Sequence, residues 1–254
     1  MNAHANAAAS PAPTGHVTMY PYTSLGHADH GWLDARHHFS FARYHNPARM
    51  GFGTLRVIND DKVAASRGFA THPHENMEII TYVRQGAITH KDSMGNTGRT
   101  GAGDVQVMSA GTGVFHSEFN HEAEDTRLYQ IWIEPNAMGV TPRWDARAFP
   151  KAPVREALSV LVSGQKQHAQ SGALFIHADA AIYGGRVQAG TTLTQVIQHQ
   201  AYVLASLGSF TVNGQSLRAG DGAEITGTAQ LYLTAITDCE ILVIDAAEQP
   251  KPVK

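Results

Sequence analysis

Two short motifs in the first half of the chain have the residue types and the spacing of a metal site. His72 and His74 are separated by one residue, and His116 and Glu118 repeat that spacing further along the chain. On a β-strand, residues i and i+2 point to the same face, so each motif would present two ligand atoms in one direction. Two such strands side by side could hold an ion about 2.0–2.2 Å from three imidazole nitrogens and one carboxylate oxygen. The spacing therefore predicts one metal ion per chain.

Other residues with comparable spacing are weaker candidates. The His-x-Asp sequences at 90–92 and 177–179 have no second pair that would complete a ligand set. Glu78 follows His74 by four residues and keeps the parity of the strand, so it stays open as an alternate ligand or an outer partner of the ligands. A single motif of this kind would be weak evidence in a chain with 15 histidines, and the prediction depends on the two motifs together.

The composition excludes several other classes of protein. A net charge of −3 provides no basic surface for nucleic acid or an anionic membrane. The single cysteine, Cys239, excludes a disulfide framework and a cysteine-based metal site within one chain. No segment has the roughly 18 to 20 apolar residues that span a bilayer, and the N-terminal residues lack the basic start and apolar centre of a secretory signal. We therefore expect a soluble, cytoplasmic protein.

Short runs of β-branched residues separated by turn signals recur along the whole chain, and helix signals are scarce. Turns are predicted at 59–61, 84–86, 95–98 and 111–113, and Asn213-Gly214 is the strongest hairpin signal because both residues tolerate φ > 0. This pattern is typical of an antiparallel sandwich or barrel. Strands are predicted at 54–58, 77–83, 87–90, 104–108, 129–133, 158–162, 173–177, 193–197, 202–207, 210–212, 231–236 and 240–244.

The same pattern on both sides of a proline-rich stretch predicts two domains. Residues 1–15 have a composition that favours a disordered tail. Residues 16–145 form the predicted metal-binding barrel, and 146–254 form a second barrel without metal ligands. The prolines between 142 and 153 indicate a connector, because proline cannot donate to a strand ladder. The sequence thus predicts an all-β protein with two tandem antiparallel β-barrels.

The segment 31–41, just before the first barrel, is dense in aromatic residues and histidines. We expect a packed N-terminal strand, with His37 and His38 partly exposed. The alternative is that this segment lines the mouth of the pocket that holds the metal.

The motifs resemble those of the cupin superfamily and, within it, those of the pirin family. The first cupin motif stands here as His72, His74, Glu78 and Gly86, and the second includes His116. The second motif departs from the general cupin pattern by having a serine in place of its proline. The similarity to pirin sequences is closer and covers about residues 25 to 145. It includes the segments 39–41, 53–61, 68–69, 72–74, 77–83, 106–113, 116–118 and 130–136. The resemblance implies a bicupin, with two barrels of the double-stranded β-helix or jelly-roll type.

The resemblance also implies a ligand set. In pirins the ligands are the histidines of His-Pro-His together with the histidine and glutamate of His-x-Glu, which here are His72, His74, His116 and Glu118. Glu78 holds the position that supplies the carboxylate in many other cupins. Such a set suits a divalent transition metal, with iron as the first expectation and nickel, copper, manganese or zinc as alternatives.

Four protein ligands would leave two positions open on a six-coordinate ion, enough for a substrate and dioxygen. Resemblance to bacterial pirin-like proteins implies quercetin 2,3-dioxygenase activity on an aromatic substrate, with Glu118 as the base that takes the proton of the flavonol 3-hydroxyl. The alternative is a non-catalytic metal-binding regulator that acts through a protein partner. A closed structural metal site is a third possibility that the sequence leaves open.

Overall fold

Two antiparallel sheets that face each other make up most of the first half of the chain. The computed structural model describes residues 15–249, so the tail predicted at 1–15 lies outside the described residues except for Gly15. The strands of this part are β1 (His16–Tyr20), β2 (Gly26–Asp29), β3 (Leu33–His37), β4 (Leu55–Val63), β5 (Gly68–His74), β6 (Glu78–Gln85), β7 (Ala87–Asp92), β8 (Thr97–Gly101), β9 (Val105–Ser109), β10 (Val114–Phe119), β11 (Thr126–Ile133) and β12 (Arg143–Arg147). Their larger sheet has the order β12-β9-β6-β11-β4-β3-β2, and the smaller has β5-β10-β7-β8.

The second half repeats this design. Its strands are β13 (Ser159–Ser163), β14 (Leu174–Phe175), β15 (Ala180–Val187), β16 (Thr192–Val196), β17 (Gln200–Leu207), β18 (Ser209–Val212), β19 (Gln215–Arg218), β20 (Gly222–Thr226), β21 (Gln230–Ala235) and β22 (Cys239–Ala246). They form a seven-stranded sheet, β1-β20-β17-β22-β15-β13-β14, and a four-stranded sheet, β16-β21-β18-β19. The all-β prediction with two tandem barrels is therefore confirmed.

Helical structure within residues 15–249 is limited to the 3₁₀ turns Tyr22–Ser24 and Lys166–His168. Neither has the length and apolar character needed to cross a membrane. The predicted hairpin is present, since Asn213 and Gly214 have φ of 47° and 84° and connect β18 to β19.

The two large sheets pack face to face and share one apolar core. From the first barrel this core includes Ile80 and Tyr82 of β6, and from the second it includes Leu204 of β17 and Leu242 of β22. Successive residues of a strand point to opposite faces, so the alternate residues of β6, β11 and β4 point into the first barrel. Each of these strands therefore serves the interface with one face and the barrel interior with the other.

Residues 59–61 do not form the predicted turn, and that prediction is wrong. They lie inside β4, where all three are buried. The fold provides partners for two of these polar side chains: Asn59 Oδ1 lies 2.8 Å from His37 Nδ1, and Arg84 Nη1 donates to Asp60 Oδ1 at 2.6 Å. Partners that are distant in sequence thus override the local turn preference of Asn and Asp.

Two strands cross the predicted domain limits. β1 falls in the segment assigned to the first barrel, yet it is the edge strand of the second barrel's large sheet, with His16 opposite Thr226. β12 occupies part of the predicted connector and pairs with β9, because the prolines flank the strand and leave its own ladder donors intact. The division of the chain near residue 145 stays a prediction.

Candidate metal centre

Three histidines meet inside the first barrel, where β5 and β10 run side by side. His116 is directly opposite His72 in the antiparallel pair. Ligand nitrogens of His72, His74 and His116 all lie within 4.8 Å of one another, and the Nε2 atoms of His72 and His116 are 3.1 Å apart. Pro73 is tolerated between the two histidines of β5 because that strand is at the edge of its sheet. The spacing of one residue therefore brings both imidazoles to the same point.

The surroundings keep the imidazoles of His74 and His116 neutral, which is the form that binds metal. Burial, followed by the adjacent His72 and His90 rings, lowers the pKa of His116 to about 3. Burial, followed by His116 and His72, lowers the pKa of His74 to about 4. No proton has to leave either ring at neutral pH, and three converging imidazole nitrogens fit a divalent transition metal.

Glu118 lies on β10 two residues beyond His116 and lines the same cavity. It is 2% exposed, and its carboxylate accepts three hydrogen bonds: from Gln106 Nε2 (2.7 Å) and Thr81 Oγ1 (2.9 Å) to Oε1, and from Gln130 Nε2 (2.7 Å) to Oε2. The cluster of ligand atoms within 4.8 Å of one another consists of the three histidines and does not include Glu118. The structure thus brings three of the four predicted ligands together, and coordination by Glu118 stays a prediction.

Glu78, the alternate carboxylate, lies outside this cavity. It begins β6 and is 1% exposed, and its Oε2 accepts a hydrogen bond of 2.7 Å from Ser109 Oγ. Burial raises the pKa of Glu78. The next residue, Ile79, lines the cavity, so the alternation of side chains along the strand turns Glu78 away from the histidines.

Behind His116 lies a pair of residues that sequence reasoning set aside. β7 pairs with β10 on the side opposite β5, which places Asp92 across from His116. His90 Nδ1 is 3.4 Å from His116 Nδ1, and His90 Nε2 is 3.0 Å from Asp92 Oδ2. Trp144 stacks on the His90 ring at a centroid distance of 4.9 Å and an angle of 7°. If His116 uses Nε2 for the metal, its Nδ1–H donates to His90, whose Nε2–H donates to Asp92, and this chain fixes the tautomer of His116.

We expect His90→Phe to weaken metal binding about 10- to 100-fold, the usual effect of losing an outer partner of a ligand. Phenylalanine keeps the stacked ring beside Trp144 but cannot accept the proton of His116 Nδ1. The metal dissociation constant, measured by competition with a chelator, checks this. The control is His121→Phe, because His121 is exposed and stacks on Phe119. Equal affinity in both variants would contradict the relay.

A cavity of about 570 Å³ opens next to the three histidines. Aromatic rings dominate one side: Trp132 packs edge-on against His74 at 4.9 Å, and Phe41 packs edge-on against Trp132 at 5.4 Å. Further lining residues are His27, His30, His37, Tyr44, Asn59, Asp61, Phe69, Glu118 and Gln130. A mostly apolar, concave pocket with a few polar groups is typical of a small-molecule site.

The segment 31–41 contributes to this cavity in part. His37 ends β3, lines the cavity and is 4% exposed. His38 is 1% exposed and lies instead at the interface between the barrels, where its Nδ1 is 2.9 Å from the Tyr202 hydroxyl. The expectation of partly exposed side chains is thus wrong for both, because the second barrel covers His38 and the cavity wall encloses His37.

Within residues 15–249, the His72, His74 and His116 cluster is the single group of three or more potential ligands that converge on one point. The second barrel has an apolar filling where the first has its cavity, with Val203, Phe210, Leu217 and Leu233 among its buried residues. The second barrel therefore offers no equivalent site in the described part of the chain.

Two tandem antiparallel barrels, one with converging histidines beside a cavity and one filled with apolar side chains, define a metal-binding bicupin. Residues 19–133 match the family model Pirin, and 160–246 match the family model of the quercetinase C-terminal cupin domain. The chain belongs to the pirin family.

Known proteins resemble this chain over most of its length. A pirin-like protein of Caulobacter vibrioides is 50% identical over 91% of this chain and 100% of that protein. The quercetin 2,3-dioxygenase of Escherichia coli K12 is 41% identical over 87% of this chain and 94% of that protein. The structure of the bacterial pirin YhhW from Escherichia coli in complex with nickel(II) superposes with a TM-score of 0.84 at 38% identity, covering 92% of this chain and 100% of that one.

Proposed function

We propose that this protein is a metal-dependent dioxygenase that cleaves the central ring of flavonols such as quercetin. The observation that carries the proposal is the cavity of about 570 Å³, lined in part by aromatic rings, that adjoins three converging imidazoles. A binding module with a closed structural metal would need no such space. The name of the Escherichia coli relative at 41% identity, quercetin 2,3-dioxygenase, agrees with this activity, and the nickel(II) complex of YhhW agrees with a divalent metal.

In this proposal His72, His74 and His116 hold the metal, with Glu118 as the fourth ligand. A metal held there would supply Lewis-acid and redox chemistry to the cavity. The protein supplies the rest. The aromatic side chains of Trp132 and Phe41 exclude water and orient the flat substrate. Glu118 also takes the proton of the 3-hydroxyl, since its carboxylate lines the cavity two residues beyond His116. Gln106 and Gln130 hold that carboxylate in place through their amide hydrogens.

The overall reaction takes up one dioxygen and releases one carbon monoxide for each flavonol cleaved, and both gases can be measured. We expect protein loaded with iron, nickel, copper or manganese to consume quercetin only in the presence of dioxygen, with at least one of these metals giving turnover. The control is His74→Ala treated in the same way. A lack of oxygen uptake and carbon monoxide release with every metal in fully loaded protein would overturn the proposal and favour a non-catalytic role.

A further inference from the structure

The wall of the cavity that faces the histidines carries a carboxyl group with no partner in the described part of the protein. Asn59 and Asp61 are two residues apart on β4, and both line the cavity. The residues between and before them, Asp60 and Ile58, point instead to the interface with the second barrel. β4 belongs to the large sheet of the first barrel, whereas β5 and β10 with the three histidines belong to the small one. Asp61 and the metal centre therefore lie on facing sheets.

Among residues 15–249, the side chain of Asp61 has no hydrogen bond or ion pair, unlike Asn59 and Gln130 on the same wall. It is 2% exposed, and its Oδ1 is fully buried without a partner among residues 15–249. Asn59 and Gln130 of this wall do have partners, because Asn59 pairs with His37 and Gln130 donates to Glu118, whereas Nε1 of Trp132 is also buried without a partner among residues 15–249. A buried polar atom without a partner costs free energy and calls for an explanation. A group that binds a ligand in the cavity provides one.

The surroundings of Asp61 favour its uncharged form. Burial, followed by the negative charges of Asp60, Glu118 and Asp34, raises the pKa of this carboxyl well above its ordinary value. An uncharged carboxyl has one O–H that donates and a carbonyl oxygen that accepts. It can therefore pair with either a hydroxyl or a carbonyl group of a neutral ligand.

We propose that Asp61 is a substrate-binding residue, which hydrogen-bonds an oxygen of the bound molecule at the end remote from the metal. Facing sheets lie about 10 Å apart, and a three-ring molecule with oxygen atoms at both ends can reach from one to the other. The site thus selects polyhydroxylated aromatic compounds over those with a single metal-binding hydroxyl. This inference rests on the proposed function and specifies the substrate class for the same cavity.

The test compares two ligands in metal-loaded protein under anaerobic conditions, where binding is measured without turnover. Quercetin carries hydroxyls on its outer rings, whereas 3-hydroxyflavone carries only the hydroxyl of the central ring. We expect the wild type to bind quercetin more tightly, and Asp61→Leu to weaken quercetin binding about tenfold, the loss of one hydrogen bond, with little effect on 3-hydroxyflavone. Asp61→Asn retains a donor and an acceptor at nearly the same volume and should stay close to the wild type. Glu156→Leu is the control, since Glu156 is exposed in the second half.

Thermal unfolding of the ligand-free variants gives a second, independent readout. Asp61→Leu removes a buried polar atom without a partner, so we expect its Tm to rise while its affinity for quercetin falls. A lower Tm or a failure to fold would contradict the inference, because the carboxyl would then have a structural role. A higher Tm with unchanged quercetin affinity would also contradict it, as expected for a carboxyl that binds only water.

The outcomes separate this inference from the proposed function. Quercetin binding that Asp61→Leu weakens, without turnover in the wild type, would support the inference and contradict the dioxygenase. Turnover with equal quercetin binding in the wild type and Asp61→Leu would support the dioxygenase and contradict the inference about Asp61. A wild type that binds neither compound would contradict both.

Discussion

Replacing His74 with alanine is expected to abolish metal binding while both barrels stay folded. The variant loses one of three converging nitrogens, and we expect the affinity to fall by more than the 10- to 100-fold that is usual for an outer partner of a ligand. The fold should persist because His74 lies at the end of an edge strand and takes no part in the core between the barrels. Elemental analysis after dialysis against metal, with circular dichroism of the same sample, measures both effects.

The matched control for His74→Ala is a histidine of the second barrel. His177→Ala, and likewise the replacement of His168 or His199, should leave the metal content at one ion per chain, because none of these residues belongs to the cluster. Loss of metal in His177→Ala would show that the site is misassigned. Two ions per chain in the wild type would also contradict the single ligand set.

Glu118→Gln is expected to reduce flavonol turnover about 100-fold or more, the scale of a lost general base, while most of the metal is retained. Glutamine keeps the size of the side chain and one oxygen but removes the negative charge that accepts the 3-hydroxyl proton. The three histidines remain to hold the ion. The rate of quercetin loss and the metal content, determined on one preparation, separate the two effects.

Glu122→Gln is the control for this change, because Glu122 is on the surface and pairs with Arg99. We expect that variant to turn over normally. Normal turnover by Glu118→Gln would eliminate the base role, whereas loss of metal in parallel with activity would mean that Glu118 acts mainly as a ligand.

The fold was largely predictable because its strands follow a local rule, alternation of side chains between two faces. The same rule put His72 and His74 on one face of a strand, and their meeting with His116 followed from the two motifs taken together and from the family resemblance. The turn preference of Asn and Asp gave the wrong prediction at 59–61, where these residues are held in a strand by His37 and Arg84, which are distant in sequence. Local preference is outweighed there by partners that only the folded chain provides.

The parts of the site that sequence reasoning missed depend on which strands are neighbours. The pair at 90–92 has the right spacing, but its relation to His116 arises from β7 pairing with β10. The sequence did offer one indication of this relation, since 87–92 and 114–119 are both strand-like segments that contain a histidine. Asp61 gives no such signal, because its isolation is a property of the cavity wall and not of any motif.

The placement of β1 sets the order in which the molecule can be completed during synthesis. A ribosome releases the chain from its N-terminus, so residues 16–20 emerge before the first barrel is made, whereas their partners in β20, Gly222–Thr226, emerge after it. All the strands that carry or support the three histidines are made in between, and they can pair without β1. The metal-binding barrel can therefore close cotranslationally, while β1 stays unpaired until β20 has been made.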